Sequence, residues 1–161
     1  MSDIPTRQAF GETLLSLGKE REDFIVLDAD ISKSTHSYLF GQEFAERAYN
    51  LGIAEQNMFG VAAGFAASGI PVFATTYAVF ASMRALEQIR TFIAYPQLNV
   101  KVIASHGGLQ VSSDGVSHQG TEDIAIMRSL PNMTVIHPAD INSTKKAVTA
   151  SLEYEGPLYM R

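Results

Sequence analysis

AEQNMFGVAAGFAASGIPVFATTYAVFASMRALEQIRTFIAYPQLNVKVIA, residues 54–104, runs twice through one pattern. A helical run meets a breaker, and a short apolar run follows it. The first helix is read over residues 54–68 and is stopped by Gly69 and Pro71. Pro71-Val-Phe-Ala74 then reads as a buried strand. A long helix over residues 77–94 ends before Pro96, and Val100-Lys-Val-Ile-Ala104 is the next strand. Short apolar strands alternating with helices predict a mostly parallel sheet covered on both faces, a three-layer αβα fold.

The alternation continues outward in both directions. Upstream, Thr6 is placed to cap a helix from Arg7 to about Lys19, with Phe10, Leu14 and Leu17 on one face. Phe24-Ile-Val-Leu27 is a strand that ends in Asp28-Ala-Asp30. Downstream come a Gly- and Ser-rich loop over residues 106–120 and a short helix over residues 122–129. Thr134-Val-Ile-His137 is a strand, Asp140 caps the last helix, and Pro157-Leu-Tyr-Met160 is a final strand. Sheets of this kind bind ligands at the carboxyl ends of their strands. Those ends are Asp28 to Asp30, Thr75 to Tyr77, Ser105-His106 and His137-Pro138.

A length of 161 residues is one domain on the usual scale. With 46% apolar and 18% charged residues, the chain has enough apolar surface to form a core. Twelve Lys and Arg against seventeen Asp and Glu give a net charge of −5, which argues against a nucleic-acid surface but leaves room for a local cationic pocket. The absence of cysteine removes disulfides, thiolate zinc sites and thiol nucleophiles. No apolar stretch is long enough for a membrane span, and Met-Ser-Asp-Ile-Pro is not a signal peptide. The expectation is a cytoplasmic protein.

Several residues are candidates for chemistry. Glu55 lies among small and apolar neighbours, a setting that buries a carboxyl; burial favours the neutral, proton-donating form. The alternative is a solvent-facing Glu favoured by the helix dipole. The helix after it is rich in Gly and Ala, and Gly costs ~1 kcal/mol per helical site relative to Ala. Close packing, within the domain or across a subunit interface, would offset that cost. Tyr77 and Phe80 offer a ring a flat surface, or they are plain core. The loop holds His106, Asp114 and His118, suited to proton shuttling or to hydrogen-bonding a polyol, unless it is a mobile surface loop. Their spacing fits no familiar metal site. Ser113-Asp114-Gly115 with Asn142 lacks the first Gly of a metal- and diphosphate-binding motif.

Taken in order, Gly-Ile-Ala-Glu55-Gln, Thr76-Tyr-Ala-Val-Phe80, His106…Asp114-Gly…His118-Gln119, Arg128-Ser-Leu-Pro-Asn132 and Pro138-Ala-Asp140 resemble the pyrimidine-binding domain of transketolases. The resemblance covers nearly the whole chain. It implies thiamine diphosphate as cofactor, with Glu55 matching the glutamate that hydrogen-bonds N1′ of the aminopyrimidine. Proton sharing there activates the thiazolium, and the cofactor stabilises the carbanion. Tyr77 and Phe80 match the aromatic wall of the pyrimidine, although the family usually has Phe where Tyr77 stands. Asp30 is expected near the thiazolium side. His106, Asp114 and His118 match the donor-sugar channel, with the two histidines assisting proton transfer. Arg7, Ser34 and Arg161 match positions that hold the sugar phosphate, a task an Arg fork suits.

The resemblance further implies a partner. The family's diphosphate-binding domain, which holds Mg²⁺, and its C-terminal domain are not expected in these 161 residues, so the chain would hold half a site. The implied protein is the C-terminal subunit of a split transketolase, a dimer or heterotetramer. It would move a two-carbon ketol unit between sugar phosphates of pentose phosphate metabolism. The alternatives are a 1-deoxy-xylulose-5-phosphate synthase, a 2-oxoacid dehydrogenase E1 beta chain and a non-catalytic α/β oligomerisation domain. Arg7→Ala is expected to weaken a transketolase and spare the pyruvate-using synthase.

Overall fold

The computed structural model describes residues 4–161. Met1 to Asp3, part of the stretch read above as no signal peptide, lie outside the described residues. Six strands form one sheet: β1 (Ile25–Asp28), β2 (Ala48–Asn50), β3 (Val72–Tyr77), β4 (Val100–Ser105), β5 (Thr134–Ile136) and β6 (Leu158–Met160). Their spatial order is β2-β1-β3-β4-β6-β5, and every neighbouring pair is parallel. The helices are α1 (Thr6–Glu20), α2 (Ser32–Thr35), α3 (Tyr38–Glu43), α4 (Glu55–Ala67), α5 (Leu86–Gln88), α6 (Asp123–Arg128) and α7 (Ile141–Glu153). No described helix is long and apolar enough to cross a membrane.

The strands look uniformly apolar in sequence, yet successive side chains divide between two cores. Leu27, Ala74, Val102 and Tyr159 pack with Met58, Phe59, Ala62 and Ile93 on one face. Val26, Phe73, Ile103 and Leu158 pack with Phe10, Leu14, Phe40 and Leu152 on the other. This is the period-2 alternation of a strand buried on both sides. The three-layer expectation is met.

Local details differ from the sequence reading. Thr6 does not cap α1; Pro5 stands at the N-cap and Thr6 is the first helical residue, consistent with a proline's fixed φ at a helix entrance. Asp140 does cap α7: its carboxylate accepts from Ser143 N at 2.7 Å, and the Ser143 hydroxyl accepts from Asp140 N at 2.9 Å. Residues 77–94 are not one helix. Tyr77 is the last residue of β3, Phe80–Arg84 and Ile89–Ala94 are π-helical turns, and α5 lies between them. The three-residue edge strand β2 and the short helices α2 and α3 were too brief to leave a periodic signal.

In α4, Ala62, Ala63 and Ala66 are buried, which explains the small residues on that side. A Cβ added at Gly60 or Gly64 would meet nothing within 4 Å among the described residues beyond the helix's own backbone and chain neighbours. Gly11 serves a close approach instead, since a Cβ there would run into the backbone of His36.

Candidate active site at the carboxyl edge of the sheet

Glu55 opens α4 and is 2% exposed. The burial expected from its neighbours is therefore present, and the solvent-facing alternative is excluded. Its Oε2 accepts from Arg84 Nη1 at 2.8 Å. Its Oε1 has one weak partner, the buried Thr76 hydroxyl at 3.5 Å. Arg84 also lies over Phe80, its guanidinium 4.1 Å from the ring centroid, so one arginine touches both the carboxylate and the ring. Tyr77 and Phe80 lie 6.0 Å apart, and His118 meets both rings edge-on at 5.7 and 5.0 Å. Tyr77 also meets His106 edge-on at 4.7 Å. The loop histidines and the aromatic pair thus form one wall.

His106 follows β4 with a left-handed φ of 55°. Arg7 Nη1 donates to its Nε2 at 3.0 Å, and its Nδ1 lies 2.8 Å from the Ser105 hydroxyl. A guanidinium can only donate, so Nε2 is the acceptor and Nδ1 carries the proton. Burial, and then the Arg7 charge, hold the imidazole below its ordinary pKa; Asp114 opposes this and His118 adds to it. Arg7→Ala therefore disturbs His106 as well as any phosphate contact, and the variant discriminates less cleanly than the sequence implied.

A cavity of about 290 Å³ opens beside His106, lined by Arg7, Gln110, His137 and Arg161 among others. It gathers four cationic or imidazole groups in a chain of negative net charge. Arg161 lies across Gly107, where a Cβ would collide with its guanidinium. Its Nε is 3.6 Å from Asp123 Oδ2, which also accepts from Tyr159 OH at 2.6 Å. Burial pushes the Tyr159 hydroxyl well up, which keeps it a donor.

The remaining predicted residues are more scattered. Ser34 accepts from the Tyr77 hydroxyl at 3.2 Å and so joins the wall. Asp30 is exposed, with Asn50 donating to it at 2.8 Å. Asp114 sits on an exposed turn. No described residues form a group of three or more His, Asp or Glu placed to hold a metal ion.

Sequence reasoning missed Arg84 and Asp123, and it noted Asp28 only as a strand end. Arg84 had a signal, four residues after Phe80 and therefore on its face of a helix. Asp123 had none, because its partners Tyr159 and Arg161 are more than thirty residues away in sequence. Asp28 ends β1 and closes the next turn, accepting from Thr75 at 2.7 Å, Ile31 N at 2.8 Å and Ser37 at 3.3 Å. Burial raises its pKa against those bonds.

Comparison with known proteins bears directly on this arrangement. Residues 2–161 match the family model described as transketolase, pyrimidine binding domain. The chain belongs to that family. It is 54% identical over 155 residues to a putative transketolase C-terminal section of Methanocaldococcus jannaschii, covering 96% of this chain and 49% of that protein. It is 37% identical over 155 residues to a 6-deoxy-6-sulfo-D-fructose transketolase subunit of a Clostridium species, covering 96% and 48%. A solved split-gene transketolase, an inactive beta4 tetramer, superposes with a TM-score of 0.88 at 51% identity, covering 99% of this chain and 52% of that one. The chain thus spans about half the length of these relatives.

The site fits the pyrimidine after which the family is named. A donor-bearing heterocycle would find a buried carboxylate oxygen, Oε1, that lacks a strong partner, and Phe80 is linked to that carboxylate through Arg84.

Proposed function

We propose that this chain is the pyrimidine-binding half of a thiamine-diphosphate-dependent transketolase, working with an N-terminal diphosphate-binding subunit. The buried Glu55 carboxylate, one oxygen engaged by Arg84 and the other with only a weak partner, is the observation that carries the reading. When bound, the cofactor supplies the nucleophilic carbon and the electron sink. Glu55 holds the proton at N1′. Phe80 and Tyr77 would offer the ring an aromatic surface and keep water away. Asp30, just after β1, would serve the thiazolium side.

The sugar chain lies along His106, His118 and Asp114. Arg7 fixes His106 in its neutral state with Nδ1 protonated, so the imidazole can hydrogen-bond substrate hydroxyls and shuttle protons. Arg161, Arg7 and Ser34 hold the sugar phosphate, and Asp123 keeps Arg161 in position. Mg²⁺ and the diphosphate belong to the partner. The uncovered Gly60 and Gly64 side of α4 is the subunit contact, in a dimer or heterotetramer located in the cytoplasm.

The test is reconstitution. The chain is mixed with its diphosphate-binding partner, Mg²⁺ and thiamine diphosphate, and ketol transfer from xylulose 5-phosphate to ribose 5-phosphate is followed. Wild type turns over only with the partner, and Glu55→Ala loses roughly 10²–10⁴-fold, the usual cost of an acid–base partner. Equal turnover in both proteins refutes the role of Glu55. Cofactor binding without ketol transfer hands the site to a pyruvate-using relative.

A further inference from the structure

The Glu55 carboxylate is buried, and a buried charge needs a partner. That partner is Arg84, at 2.8 Å on Oε2. The two side chains differ in exposure: 2% for Glu55 and 44% for Arg84. The arginine therefore reaches from the protein surface down to the carboxylate. On the way its guanidinium lies over the Phe80 ring, 4.1 Å from the centroid, a cation–π contact.

The local backbone makes this reach possible. Phe80–Arg84 is a π-helical turn, closed by Ala85 N donating to Phe80 O at 3.0 Å. Its i→i+5 bond widens the turn and brings residues four apart closer to eclipse than an α-turn does. Phe80 and Arg84 are four apart, and the Arg84 guanidinium lies over the Phe80 ring. Such turns are rare and gather at functional sites.

We propose that Arg84 is the positioning residue of this site: it occupies Oε2 of Glu55 and braces Phe80, so that Oε1 alone is presented to the cofactor's aminopyrimidine. This rests on the reading of Glu55 given above. The chemistry favours arginine for the task. A guanidinium stays charged and only donates, so Oε2 is engaged whatever occupies the site. With Oε2 taken, the carboxyl plane is fixed relative to the Phe80 ring. Arg84 acts through Glu55 and Phe80 and lies apart from the cavity lined by Arg7 and Arg161.

The experiment uses the chain reconstituted with its partner subunit and Mg²⁺. Thiamine diphosphate affinity is measured by fluorescence titration for wild type, Glu55→Gln, Arg84→Met, Arg84→Lys and the Glu55→Gln/Arg84→Met double variant. Methionine keeps the stem over Phe80 and deletes the donors. Arg84→Met is expected to weaken cofactor binding roughly 10-fold or more, the scale of a lost hydrogen bond to a charged group. Its kcat should fall while the KM for the sugar donor stays near wild type. Arg84→Lys, which keeps one charged donor, should recover part of the loss. The double variant should bind no worse than the weaker single variant, because both changes break one unit.

If Glu55→Gln binds and turns over like wild type, the reading of Glu55 fails. If Glu55→Gln is impaired while Arg84→Met matches wild type or binds the cofactor more tightly, the positioning role fails and the Glu55 reading stands. Tighter binding would make Arg84 a competitor for the ring's place. Should Arg84→Met not fold, Arg84→Lys decides: an affinity loss with unchanged sugar KM supports positioning, and wild-type affinity and kcat overturn it.

Discussion

Residues 78–94 and helix α7 are both rich in alternating apolar and polar residues, and both read as helix. Only α7 folds as one continuous α-helix. It starts from a capping box at Asp140 and buries Thr144, Val148, Ser151 and Leu152. Residues 78–94 pass instead through a π-turn, a break at Ala85, three α-helical residues and a second π-turn. The difference follows from what each segment carries. Helix α7 supplies packing, which a regular helix does well. The other segment must bury Ala81, Ala85, Ile89 and Ile93 and also deliver Arg84 to Glu55 across the Phe80 ring. An ideal α-helical register does not meet both demands, and the backbone widens where the site needs it.

Substitutions can break or sharpen this contrast. Leu152→Ala, on α7 and 4% exposed, should cost ~2–5 kcal/mol of stability in a urea titration and leave cofactor affinity unchanged. An affinity change there would mean that α7 also serves the site. Phe80→Ala should do the reverse. Stacking a base-like ring on an aromatic side chain is worth about 1–3 kcal/mol, so thiamine diphosphate should bind roughly 5- to 100-fold more weakly to the reconstituted protein.

A smaller effect separates the two ends of the site. His106 is held below its ordinary pKa of 6.5, first by burial and then by Arg7. The folded protein therefore keeps this imidazole neutral, and protonation opposes the working state only as pH falls below 6.5. Arg7→Gln removes one cause. The acid limb of the kcat/KM profile should then move up toward 6.5 without reaching it, since burial remains. An unmoved limb would show that His106 does not set it.

The layers of the fold were legible because they rest on local signals. Breakers at Gly69, Pro71 and Pro96 and short apolar runs between them were enough to indicate a parallel sheet with helices on both faces. The carboxyl-edge rule then located Tyr77, His106 and His137 together, whereas Arg161 came from the family resemblance. The neighbours of Glu55 suggested burial but left a solvent-facing carboxylate open, and the family resemblance singled the residue out. The rest depended on tertiary contacts. The π-turns have no sequence signature beyond a helical pattern, so the segment read as one long helix. Asp123 reaches Arg161 and Tyr159 across the fold, and nothing near Asp123 announces them. Lys101 defied its strand, where a lysine ordinarily marks an exposed face. It is fully buried, its ammonium donating to the Tyr154 and Gly156 carbonyls, and burial lowers its pKa to about 8.

Amide hydrogen exchange on the reconstituted protein, with and without thiamine diphosphate, tests the central claim most directly. The claim is that residues 78–94 form the wall of the aminopyrimidine seat while α7, which reaches the neighbouring cavity only through Thr144, takes no part in that seat. Cofactor should slow exchange across residues 78–94 and at the start of α4 around Glu55, and leave α7 unchanged. Equal protection of both segments, or none at residues 78–94 under saturating cofactor, would contradict it.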